Sequence, residues 1–256
     1  MIDLRKLKEN KHLYLAEKQN TMKFADAVIL DAQTEPVHST TTKAEGDKKE
    51  DPTKLKLKLV VNTTNILDSH GDVHIKGLWK KTLQENKRLF LLQEHQMKFD
   101  KVISDKINAY TEPFDYKGSN VEALVFETEI NKERNEFMFE QYYKGYVTNH
   151  SVGMRYVKLE LAINSEDKYF REEKEVWDKY INEVANREDA EKQGYFWAVT
   201  EAKLIEGSAV VIGSNQVTPT LITEAVTDDT SKTNTQEPAQ ATRNPKKQRI
   251  FINQKS

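Results

Sequence analysis

The chain has 256 residues, with 39 Lys and Arg against 41 Asp and Glu, for a net charge of −2. That balance gives no electrostatic reason to expect nucleic acid as the main partner, and the absence of cysteine excludes disulfides, thiolate catalysis and cysteine-ligated zinc. Charged residues at 31% beside a hydrophobic set of 37% are lean for one compact domain, so one modest core with long polar segments is expected.

Residues 1–54 read as a polar leader, open to cleavage because exposed unstructured termini are natural protease substrates. Its start, "MIDLRKLKENKHLYLAEKQN", is charged throughout and has no apolar signal-peptide core. No run of about 18 apolar residues suggests a membrane span, so a soluble, intracellular protein is expected. "FADAVIL" (Phe24 to Leu30) is the only strand-like piece of the leader, and a polar linker follows it.

The domain then runs over 55–222. "LKLKLVVNTTN" alternates apolar and charged residues as a half-buried strand does. "ILDSHGDVHIKGLW" is a loop leading into a helix from Leu78 to about Arg88, and "LFLLQEH" is a short buried strand ending at His95. "KVISDKINAYTEP" and "VEALVFETEI" are alternating strands around the turn-like "FDYKGSN". "NKERNEFMFEQYYKG" reads as a helix of about three turns stopped by Gly145. "VTNHSVGMRYVKLELAI" is a strand, and 164–193 is a charged helical insertion on the surface, with a sparse apolar stripe at Val176, Trp177, Tyr180 and Val184. "GYFWAVTEAKLIEGSAVVIGSN" returns to strands, and residues 223–256 form a polar tail expected to be disordered. The fold class expected is α+β, mostly β.

Four places carry candidate chemistry. On a strand, His70, Asp72 and His74 of "HGDVH" would share one face and offer two imidazoles and a carboxylate to a first-row metal. Gly71 argues instead for a turn in which Asp72 bonds backbone amides, and neither metal nor other cofactor is expected. Ser151 stands beside His150, but successive residues of an extended chain point to opposite faces, so the base for Ser151 must come from a distant segment. His95, after an apolar strand, is one such base. Glu206, set between "KLI" and "GSAVV", is either an outward residue on an edge strand or a buried carboxylate in need of a partner. Together Ser151 as nucleophile, His95 as general base and acid, and Glu206 as the orienting carboxylate make the minimum set for acyl transfer.

"NILDSHGDVHIKGLWKKTL", "LFLLQEHQ", "YYKGYVTNHSVGM" and "TEAKLIEGSAVVIGSN", in this order, resemble the motifs of the tailed-bacteriophage prohead protease family. The resemblance covers about Val60 to Leu221 and implies that His95 is the catalytic histidine, Ser151 the nucleophile and Glu206 the third member. It places Ser214 and Asn215 in a turn with candidate oxyanion donors. It further implies a fold similar to herpesvirus assemblin, a β-barrel surrounded by helices. The function implied is a serine endopeptidase in the host cytoplasm, inside the viral procapsid. Its substrates would be scaffold, or the scaffold-like arm of the major capsid protein, and itself, with self-association open and with no specific nucleic acid or membrane partner. The alternative is an inactive capsid- or scaffold-binding module of the same fold. This sequence departs from the family pattern at Gln96, where an acidic residue is usual, at Val102 to Ser104, at Met154, and in the length of the insertion.

Overall fold

The computed structural model of the chain describes residues 3–22, 52–85, 87–213 and 217–226. Two short helices come first, α1 (Leu4–Glu9) and α2 (Lys11–Asn20), with the Asp3 side chain capping α1 by accepting from the amides of Arg5 and Lys6. Then follow β1 (Lys54–Thr63), β2 (Asp72–His74), α3 (Lys80–Gln84), β3 (Leu91–Gln93), β4 (Val102–Ser104), β5 (Ile107–Tyr116) and β6 (Ser119–Asn131). The second half holds α4 (Glu136–Tyr143), β7 (Asn149–Ile163), α5 (Arg171–Tyr180), α6 (Arg187–Gln193), β8 (Tyr195–Val210) and β9 (Thr220–Val226).

The strands form two sheets. One is antiparallel, in the order β5-β6-β1-β9. Its β5–β6 hairpin closes on Lys117 and Gly118, both at positive φ, the backbone a two-residue turn needs to match strand twist. The other is built on β8, which pairs with β7 along most of its length on one side. On its other side the first half of β8 takes β2 in parallel and the second half takes β3 in parallel, with β4 antiparallel to β3.

The sheets pack face to face. Leu55, Leu57, Leu59 and Val61 of β1 alternate inward and meet Leu124 and Phe126 of β6 and Val152, Met154 and Tyr156 of β7 in one buried cluster. Gly207 of β8 is part of this contact: a Cβ there would lie 2.6 Å from the Phe126 ring. The opposite face of the β8 sheet is covered in part by the insertion. Over its first half, Phe196 and Ala198 are buried under Trp177, Tyr180, Ile181 and Val184 of the insertion. Register shifts that leave Thr200 and Ile205 unpaired reverse the inward–outward alternation twice. Glu206 and Ser208 therefore return to the face on which Phe196 and Ala198 began.

The protein is α+β with more strand than helix, and the described strands form two sheets rather than a closed barrel. Four local expectations change. Residues 4–20 of the expected leader are helical, and Leu7 is buried in the main cluster. The insertion is not merely a surface appendage, because its apolar stripe builds a second core. The helix over 136–143 has two turns, capped at its start by the Asn135 side chain. Residues 223–226 of the tail expected to be disordered are the end of β9, paired with β1; the rest of the tail, from 227, and the strand expected at Phe24 to Leu30 lie outside the described residues. Among the described residues no helix is long and apolar enough to cross a membrane.

Candidate active site

His95 does not end a strand. It is the second of two left-handed residues, Glu94 at φ 52° and His95 at φ 54°, in a turn closed by the Gln96 amide donating to the Gln93 carbonyl at 3.0 Å. Such a turn ordinarily uses Asn and Gly; two side chains with full Cβ atoms cost about 1–2 kcal/mol each. Strain of this kind persists only where surroundings over-determine it, and it concentrates at functional sites. Here the surroundings are specific. The Glu94 amide donates to the Ala209 carbonyl at 2.9 Å and the His95 amide to Ser208 Oγ at 3.1 Å.

The His95 ring is held as firmly. Its Nδ1 lies 2.6 Å from Glu206 Oε1, and Ser208 Oγ donates to Glu206 Oε2 at 2.6 Å. Glu206, Ser208 and His95 thus close a ring of hydrogen bonds in which each contributes two contacts. Glu206 is buried on the central strand, so of its two sequence readings the buried, partnered carboxylate holds and the exposed edge residue does not. Donation from Nδ1 to a carboxylate fixes the imidazole tautomer and leaves Nε2 as the basic atom.

Ser151 reaches the same face from β7. It pairs directly with Ser208, and Gly153 pairs with Glu206, so all four side-chain positions share one side of the sheet. Gly153 is where the Glu206 carboxylate lies: a Cβ on it would stand 2.0 Å from Oε1. The structure therefore brings His95 and Glu206 into contact and puts Ser151 one residue pair away on the adjacent strand. Ser208 was missed in the sequence. Its position two residues after Glu206 on a strand was the available signal, since that spacing fixes a common face. Ser214 and Asn215 lie outside the described residues.

His150 points away from this site. Its Nδ1 donates to the Thr218 carbonyl at 3.0 Å and its Nε2 accepts from the Tyr142 hydroxyl at 3.0 Å, with the two rings stacked. Complete burial pushes its pKa down to about 4. The unfolded chain takes up this proton near pH 6.5 and the folded chain only near 4, so the stability His150 confers is present above 6.5 and is lost as pH falls towards 4. Between pH 7 and 4.5 the loss amounts to about 2 kcal/mol. Urea unfolding of wild type and His150→Gln at both pH values is expected to show a steeper fall in wild type by that amount. Equal falls would mean that His150 does not titrate this way.

His70, Asp72 and His74 form no metal-binding group among the described residues. His70 is on the surface, and the other two belong to a buried polar chain. Trp79 Nε1 donates to Asn62 Oδ1 (3.2 Å), and Asn62 Nδ2 donates to His74 Nδ1 (2.9 Å). His74 Nε2 lies 3.0 Å from the Tyr156 hydroxyl, which donates to Asp72 Oδ2 at 2.9 Å, and Lys18 Nζ binds the other oxygen. The carboxylate that bonds this loop's amides is Asp68, accepting from His70 and Asp72, not Asp72 as the turn reading had it. No known protein family, no curated protein and no solved structure matches this chain.

Proposed function

We propose that this protein is a serine endopeptidase of the prohead-protease kind, with Ser151 as nucleophile, His95 Nε2 as general base and acid, and Glu206 holding the imidazolium. One observation carries the reading: a histidine on a strained turn, bonded at 2.6 Å to a buried carboxylate, beside the strand face that bears Ser151. A buried His–carboxylate pair with no catalytic task is a poor use of two polar groups and two left-handed residues. By the motif resemblance, the substrates are scaffold or the scaffold-like arm of the major capsid protein, and the enzyme's own termini. The assemblin-like ancestry of the fold belongs to the same proposal. Met97 and Phe99 just beyond His95, and Val211 and Ile212 just beyond Ser208, are exposed and offer apolar surface to an extended substrate.

The test is intact mass over time for the purified chain, alone and co-expressed with a capsid protein and its scaffold, wild type beside Ser151→Ala. Shortening in wild type only supports the reading. Wild type that cuts nothing even with assembled substrate removes it in favour of a binding module. Ser208 acts in this scheme as a positioning residue, through the His95 amide and Glu206. Ser208→Ala is expected to lower kcat about 10- to 100-fold with KM nearly unchanged, since loosened alignment costs on that order. The downfield Nδ1 proton of His95 in an NMR spectrum should shift or broaden in the same variant. An unmoved signal would reduce Ser208 to packing.

A further inference from the structure

Asp72 of β2 and Glu173 of α5 lie on separate parts of the fold, and each has 1% of its side chain exposed. An ionised carboxylate so buried is strongly unfavourable without a cation. Both take their cations from the same stretch of chain, residues 3–22. Lys18 Nζ binds Asp72 Oδ1. Lys8 Nζ lies 2.8 Å from Glu173 Oε2 and Lys11 Nζ 2.9 Å from Oε1. Burial by itself pushes the Glu173 carboxyl up, and the two lysines outweigh it and hold it below its ordinary value. Arg5 adds an exposed pair with Asp167.

The apolar side of these helices is engaged as well. Leu7 is buried in the main cluster, Leu4 and Leu15 pack on it, and the Tyr14 ring lies 6.4 Å from that of Trp197. Gln19 Nε2 donates at 2.9 Å to the carbonyl of Val157, the residue that a register shift leaves without a ladder partner on β7. Helices of six and ten residues do not persist alone in water, so docking is what orders them.

We infer that residues 3–22 are a basic helical ligand for an acidic, partly apolar cleft made by β2, β7 and the insertion. They are held there by ion pairs and burial rather than by the connecting chain. A cut anywhere between residues 23 and 51 then leaves a two-piece molecule with the arm in place. The arm is thus a retained subunit, not a leader that departs on cleavage, and it ties the insertion to the strand that carries Ser151.

The test uses the full chain with Ser151→Ala, to prevent self-cutting, and a site-specific protease sequence inserted between residues 37 and 38. After complete cutting, the arm is expected to co-elute with the remainder in gel filtration at micromolar protein. Lys8→Gln/Lys11→Gln/Glu173→Gln removes one buried charge together with its cations, so that folding does not depend on an orphaned carboxylate. In the cut protein that variant should hold the arm about 100-fold more weakly. An arm that separates from a folded remainder, or is left in solution as the remainder aggregates, overturns the inference. A variant that binds as tightly as wild type shows that the ion pairs are not the hold.

Discussion

If the proposed triad operates, Ser151→Ala is expected to leave no more than about 10⁻⁴ of the wild-type cleavage rate, because loss of its nucleophile removes the covalent route and leaves only binding and oxyanion stabilisation. His95→Ala should cost as much, and the double variant no more than either single one, since the two act as a unit. Glu206→Gln discriminates more sharply. A glutamine amide facing His95 Nδ1 donates where the carboxylate accepted, so Nδ1 must become the acceptor and Nε2 must carry the hydrogen. That is the wrong tautomer for a base, and a loss of about 10⁴ is expected with the fold intact. Initial rates on a scaffold-derived peptide or on co-expressed capsid protein, with thermal melts alongside, measure all four. Wild-type rates in Ser151→Ala would end the serine protease reading; a fully active Glu206→Gln would keep Ser151 and discard the role given to the 2.6 Å pair.

Much of the strand pattern was legible because period-two alternation is strong where one face is buried. β1 reads Leu-Lys-Leu-Lys-Leu, and its leucines are the core. The expectation that His150 and Ser151 diverge follows from the same alternation, and the structure gives His150 its own partners on the far face. What stayed hidden has identifiable causes. The turn that presents His95 uses no glycine or asparagine, so nothing in "QEHQ" announces two left-handed residues. The bulges at Thr200 and Ile205 cancel for Glu206, which keeps the face of Phe196 and Ala198, but they turn Ala202 and Leu204 between them to the opposite face, and no local residue type marks them. The amino-terminal helices carry few apolar residues and depend on carboxylates more than 50 positions away, so they read as a polar leader. The insertion looked like a solvated face because one buried stripe on a charged helix is enough to build a small core when the sheet supplies the rest.

The sequence "HSVGM" also contains a constraint that only the packing explains. Gly153→Ala is expected to be as damaging as loss of Glu206 itself, although it adds a single methyl group. The backbone at Gly153 is not left-handed, so alanine is acceptable to the chain. The space is not. Its Cβ would stand 2.0 Å from Glu206 Oε1, 2.8 Å from Cδ and 2.9 Å from Cγ, so the carboxylate must leave the position in which His95 and Ser208 hold it. Displacement breaks two charge-assisted hydrogen bonds in a buried site and frees the strained His95 turn, at a cost of about 2–4 kcal/mol in stability. Cleavage should fall about 10³–10⁴-fold, approaching the loss expected when the orienting carboxylate is removed. The mechanism is separable from general damage by a double-mutant cycle. In a Glu206→Ala background the three atoms nearest the methyl are gone, so adding Gly153→Ala should change stability by less than about 0.5 kcal/mol. Activity should remain lost in that double variant. Shortening the acid, in Gly153→Ala/Glu206→Asp, withdraws the carboxylate by one methylene and should recover part of the stability. A Gly153→Ala protein that melts and cleaves like wild type would show that Glu206 does not rest over the glycine, and the pair at the centre of the proposed site would have to be redrawn.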